Sequence, residues 1–248
     1  MMYLTEPRLT DIVRKQVRYK FNAYAGVFSS LMVMQIIGML LGFNSRSSFY
    51  GGSSMEITVT TATGDFPFIM TLIWAFTTGI LLTTTAYRND AFAYVSNRMS
   101  HHVSSFLFLL AASAIGGATA VLAGSIVKFI SLFRSEPFLI SSWDIFTAPM
   151  EFFTQMATSI LYVILIACIG YGIGAFIQRS KLVIPLLILI LFVLPFFTGF
   201  LTFEFIAKAA EFYGMETSLP VFLLKVAVTV AGLFGMAAFL TDRLEVRK

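Results

Sequence analysis

Charge is scarce in this chain. Only 12% of its 248 residues are Asp, Glu, Lys or Arg, about half the ~25% usual in soluble globular domains. Hydrophobic residues make up 58%, and mean hydropathy is +0.85. This composition excludes a water-soluble domain and makes the chain an integral membrane protein. Cysteine occurs once, as Cys168 inside an apolar run, which excludes a disulfide framework and a thiolate metal cluster. Histidine occurs only as His101 and His102. These neighbours point to different faces of a helix and have no further Cys or His to complete a four-ligand site, so no metal is expected. The dipeptide Gly-Lys is absent, which excludes a phosphate-cradling ATP loop. A zinc-protease pair of histidines one turn apart and a G-x-S-x-G nucleophile elbow are missing too. The chain is therefore not expected to be an enzyme.

What is present is length in apolar runs. A bilayer core about 30 Å thick takes on the order of 20 residues of helix, and that ruler finds six segments, at about 21–43, 66–87, 103–127, 156–177, 182–203 and 219–241. The first run exceeds the h-region of a signal peptide and has no A-x-A site after it, so it reads as a span. Barrel strands would alternate apolar and polar residues, and the run "LVIPLLILILFVLPFF" alternates nowhere. The expected fold is an all-α integral membrane protein of one domain, residues 1–248, with six transmembrane helices.

Lys and Arg set the orientation, because short cytoplasmic loops carry the excess. With the N-terminus inside, 12 of the 17 cations are cytoplasmic, four are external, and Lys225 lies within a span. Both termini are expected in the cytoplasm. Ahead of the first span, Leu9, Ile12, Val13 and Val17 recur at helical spacing while Arg14, Lys15 and Arg18 fall on the other side, with Thr10 and Asp11 as capping residues. This predicts an amphipathic helix lying in the interface, its cations over anionic headgroups.

Polar residues inside the bilayer would be default functional candidates, but the expected span cores contain no carboxylate, and Asp65 and Glu204 lie only at span edges. Lys225 is the one charge within a span. It lies about 9 Å from the outer start of its helix, at 1.5 Å per residue, so it either snorkels to the interface or contacts an anionic substrate group. Small residues at Gly38/Gly42, 111–124, Gly170/Gly174 and Ala231/Gly235 are expected to let helices approach closely. Thr77, Thr78, Thr83, Thr84 and Thr85 are read as bonding their own preceding carbonyls rather than lining a polar path. Glu204, Lys208 and Glu211 at i, i+4 and i+7 predict a short external helix before the last span, and the aromatic-rich segment 128–155 reads as headgroup-level material.

The longest polar interruption of the first half is "AYRNDAFAYVSNRMSHH". Taken with the six spans, the basic helix before the first, the tight turn "QRSK" between spans four and five and the external helix before span six, it resembles the type-2 permease subunits of ATP-binding-cassette exporters, in the form found in small Gram-positive permeases. The resemblance implies a separate soluble ATPase that docks on the segment 88–102. Arg88, Asp90, Asn97, Arg98, His101 and His102 would then form the docking surface, with Phe92 and Tyr94 as aromatic anchors. It also implies a second permease copy or paralogue, as homodimer or heterodimer, and a location in the plasma membrane of a bacterium. ATP and Mg would be bound by the partner, with no cofactor on this chain and no nucleic-acid partner. The function expected is export of an amphipathic peptide, drug or lipid-like substrate. A non-transporting scaffold or sensor and a secondary transporter stand as the alternatives.

Overall fold

The computed structural model describes residues 9–43, 47–51, 55–62, 64–84, 87, 98–131, 133, 138–140, 148–180, 182–189 and 201–242. Within them, five helices are long and apolar enough to cross a membrane. They are α2 (Ala25–Phe43), α3 (Asp65–Thr83), α4 (Arg98–Ser131), α5 (Pro149–Arg179) and α8 (Leu219–Asp242). Three shorter helices accompany them: α1 (Leu9–Ala23), α6 (Val183–Ile188) and α7 (Leu201–Gly214). The chain is a multi-pass membrane protein. The expected span 182–203 is described only at its start, through Leu189, and at 201–203, which belong to α7.

Helices α4 and α5 outrun the hydropathy ruler. They have 34 and 31 residues, about 51 Å and 46 Å at 1.5 Å per residue, against a hydrocarbon core of about 30 Å. Polar residues extend them at both ends, because the helical ladder continues wherever the backbone is hydrogen-bonded, whatever the side chain. Leu201–Gly214 forms the helix expected before the last span, with Glu204, Lys208 and Glu211 exposed.

Helix α3 is the centre of the bundle, packed against α2, α4 and α5. Glycine makes its contact with α5 close. An added β-carbon would lie 2.1 Å from the Ala167 carbonyl oxygen at Gly79, and 2.3 Å from the Phe76 carbonyl oxygen at Gly170. No side chain fits at either position, so the two backbones touch. Above and below the crossing, Trp74, Ala75, Leu82, Val163, Ala167 and Tyr171 form one apolar cluster with Leu31, Phe108 and Leu109. A second cluster joins α8 to α5 through Phe222, Val226, Val230, Ile164, Leu165 and Cys168.

Polar side chains tie α2 to this core. Gln35 donates to Thr71 Oγ1 at 3.2 Å, to Thr119 Oγ1 at 2.9 Å and to the Gly116 carbonyl at 3.4 Å, linking three helices through one amide. Trp74 Nε1 donates to the Val27 carbonyl at 2.9 Å, just past the junction of α1 and α2 at Tyr24. Of the threonines singled out by sequence, Thr77, Thr83 and Thr84 donate to carbonyls three or four residues back, as expected.

The all-α expectation is corrected outside the bundle. Ser47–Gly51 (β1) and Met55–Ala62 (β2) pair antiparallel as a hairpin, and Phe138–Ile140 (β3) joins β2 in parallel. The physical reason is legible in β2, "MEITVTTA", which is rich in β-branched residues that favour the pleated backbone. The parallel partner comes from the connection between α4 and α5, so the sheet joins two inter-helix connections.

Candidate functional site

Helix α1 presents Arg14, Lys15 and Arg18 outward, as the amphipathic pattern predicts. Its inner face is not purely apolar. Val13, Gln16 and Lys20, at i, i+3 and i+7, are buried where α1 packs on α4. Lys20, grouped by sequence with the solvated cations that orient the chain, is 2% exposed. Its Nζ donates to Ser105 Oγ at 2.7 Å, Ser104 Oγ at 2.9 Å and the His101 carbonyl at 3.4 Å. The two serine hydroxyls in turn donate to that same carbonyl, at 2.9 and 2.8 Å, which leaves their lone pairs for the lysine. Burial nevertheless disfavours the charged form and pushes the ammonium pKa down to about 7. The Gln16 amide is buried beside this contact without a hydrogen-bond partner among the described residues.

The neighbouring His102 turns the other way, with Nδ1 2.8 Å from Tyr171 Oη on α5. Tyr171 stacks on Phe234 of α8, ring centroids 4.7 Å apart. One turn of α4 thus holds a lysine of α1 on one side and a tyrosine of α5 on the other. The expectation that His101 and His102 belong to an exposed docking surface is corrected: both are buried, because α4 begins at Arg98 and carries them into the helix packing. No cluster of three or more His, Cys, Asp or Glu side chains suited to a metal occurs among the described residues.

The remaining docking candidates Arg88, Asp90, Phe92, Tyr94 and Asn97 lie outside the described residues. Arg98 is the first residue of α4, with its side chain outside the description. The end of the polar segment is therefore continuous with the helix turn that grips α1 and α5.

Lys225 reaches out of its helix. It forms an ion pair with Glu216, donates to the Phe212 carbonyl at 3.1 Å and sits 4.0 Å from the centroid of the Phe212 ring. Its ammonium is thus engaged by the last turn of α7 and by the connection that follows it. A separate apolar groove of about 520 Å³ runs between α4, α5 and α8, where His102 is the one polar side chain among the described lining residues.

Sequence reading missed Lys20, Gln16 and Gln35. Gln35 had a signal, an amide alone in an apolar span. Lys20 had none, because its burial depends on where α1 docks. Comparison of the chain with models of known protein families, with curated proteins and with solved structures finds no match.

Proposed function

We propose that this chain is the membrane-spanning subunit of an ATP-driven exporter that moves an amphipathic peptide, drug or lipid-like substrate out of a bacterial cell. In this reading a separate ATPase docks on the segment 88–102 ahead of the buried His101 and His102 and binds ATP and Mg, and the permease works as a homodimer or heterodimer in the plasma membrane. The observation that supports it is mechanical: the last residues of the polar segment, 98–102, form the first turn of α4, where Lys20 of α1 and Tyr171 of α5 are both held. A force applied to that segment by ATP-driven closure of the partner moves α1, α4 and α5 together. The apolar groove between α4, α5 and α8 suits the greasy part of an amphipathic cargo. The excess of cations on the connections assigned to the cytoplasm supports a docking segment on the same side as ATP.

Phe92→Ala and Tyr94→Ala test the reading, with Ser47→Ala as a control. At least one aromatic truncation is expected to cost about 2 kcal/mol or more of partner binding. The measurements are co-purification of the ATPase with tagged permease and ATP hydrolysis by the reconstituted pair. If a bound ATPase stays with both aromatic variants and hydrolyses ATP at the wild-type rate, docking lies elsewhere.

A further inference from the structure

At the end of the bundle away from α1, α3 begins with its N-cap Gly64 in contact with Gly124 of α4; an added β-carbon at either glycine would sit 2.9 Å from the other's Cα. That contact positions the rest of the site. Lys128 follows Gly124 by four residues, one turn on the same face of α4. Both residues line a cavity of about 310 Å³ between α3, α4 and α5, with Asp65, Gln155 and Tyr162 also on its wall. Lys128 is 8% exposed, and among the described residues its ammonium has neither a hydrogen bond nor an ion pair. The stem is buried while the ammonium keeps contact with the cavity, and no described residue supplies its counter-charge, so it can take an anion. The start of α3 borders the same cavity, with no side-chain cap from Gly64 and with Asp65 as the acid of its first turn.

Asp65 supplies the opposite charge. It lines the cavity from the exposed side and forms no ion pair with Lys128. The site therefore has a positive pole on α4 and a negative one on α3, which matches a dipolar ligand. Phe129 and Phe133, close to Lys128 in the chain, are 61% and 77% exposed, as expected at headgroup depth. The volume lies at the lower end of the range for small-ligand pockets, about 300–1,000 Å³, which suits a headgroup-sized molecule.

We infer that this cavity binds a zwitterion of the phosphoethanolamine type, its phosphate against Lys128 and its ammonium against Asp65. The chemistry is shared by a free phosphoethanolamine and by the headgroup of a lipid of the surrounding bilayer, and the inference is independent of the proposed transport function.

The test is calorimetric titration of the full chain in a neutral maltoside micelle. The probes are phosphoethanolamine, dihexanoylphosphatidylethanolamine and, as the anion without an ammonium, dihexanoylphosphatidylglycerol. Wild type should bind at least one ethanolamine probe and prefer the ethanolamine lipid to the glycerol lipid at least threefold. Lys128→Gln should weaken that binding at least tenfold, and Lys128→Arg should stay within about threefold of wild type. Asp65→Asn alters only an exposed residue and should erase the preference while leaving the glycerol lipid bound as well or better. Comparable affinity for both ethanolamine probes would identify a soluble ligand, and binding of the lipid alone would identify the bilayer as the source; either supports the site. Absence of ethanolamine-probe binding to wild type overturns it. So does equal affinity in wild type and a folded Lys128→Gln, or a lipid preference that Asp65→Asn leaves unchanged.

Discussion

Helices α3 and α8 are alike as strings of residues and unlike as parts of the protein. Both are apolar, and both carry small residues at positions suited to close packing, but α3 meets its neighbours on several sides while much of α8 faces outward. The difference lies in what stands opposite each glycine. Gly79 of α3 meets the α5 backbone, and Gly170 of α5 meets the α3 backbone in return. Among the described residues, Gly232 and Gly235 of α8 have nothing within 4 Å of an added β-carbon, so the small face at Gly235 makes no close contact with them. A small-residue spacing permits close approach, and a matching partner face is needed to use it.

The largest expected effect breaks that seam. Gly79→Ala or Gly170→Ala places a methyl group inside the van der Waals radius of a carbonyl oxygen and should cost about 2 kcal/mol or more, while Gly235→Ala should stay within about 0.5 kcal/mol of wild type. Unfolding of the three variants in micelles by denaturant titration measures the contrast. Equal losses at Gly79 and Gly235 would remove the distinction between the two helices.

A second effect concerns helix attachment by charge rather than by glycine. Lys20 is held down at about 7, against about 10.4 for lysine in an unfolded chain. Between those values the unfolded chain binds more protons than the folded one, so the lysine's contribution to stability grows as pH rises from about 7 towards 10.4, by up to about 1.4 kcal/mol per pH unit, and is level below 7. Unfolding midpoints at several pH values for wild type and Lys20→Met should diverge in that direction. Parallel pH curves for the two proteins would show that the lysine keeps an ordinary pKa.

The smallest effect belongs to α8. Its Lys225 contacts are partly exposed, and Lys225→Met should cost below about 1 kcal/mol, with expression unchanged. A larger loss, measured in the same denaturant titration, would mean that α8 depends on its connection to α7 more than its outward face suggests.

The long apolar runs were legible because bilayer thickness leaves little choice of length, and α2, α3 and α8 fall within a few residues of their expected bounds. The true ends of α4 and α5 were not, since Arg98–His102 and Glu151–Gln155 stay helical through backbone bonding and packing that hydropathy does not register. In the sheet the two strands of the hairpin differ from the third. The β-branched run Ile57–Thr61 was there to be read, whereas three residues, Phe138–Ile140, become a strand only because β2 lies beside them. The site was least legible of all. Lys20, His101, His102 and Lys128 look on the page like residues for solvent, and each is buried by a helix that is distant in sequence or by a neighbour's glycine.

The pairing of β2 with β3 also sets an order of assembly. The β1–β2 hairpin joins neighbouring residues and can close as soon as both have been synthesised. Thr60 must wait for Phe138, with all of α3 and α4 still to be made and inserted between them. Until then β2 carries an unpaired edge in water, the kind of edge that recruits other chains. Closing it completes a loop around two membrane helices, so the parallel pair acts as a latch that shuts only after α3 and α4 are in place.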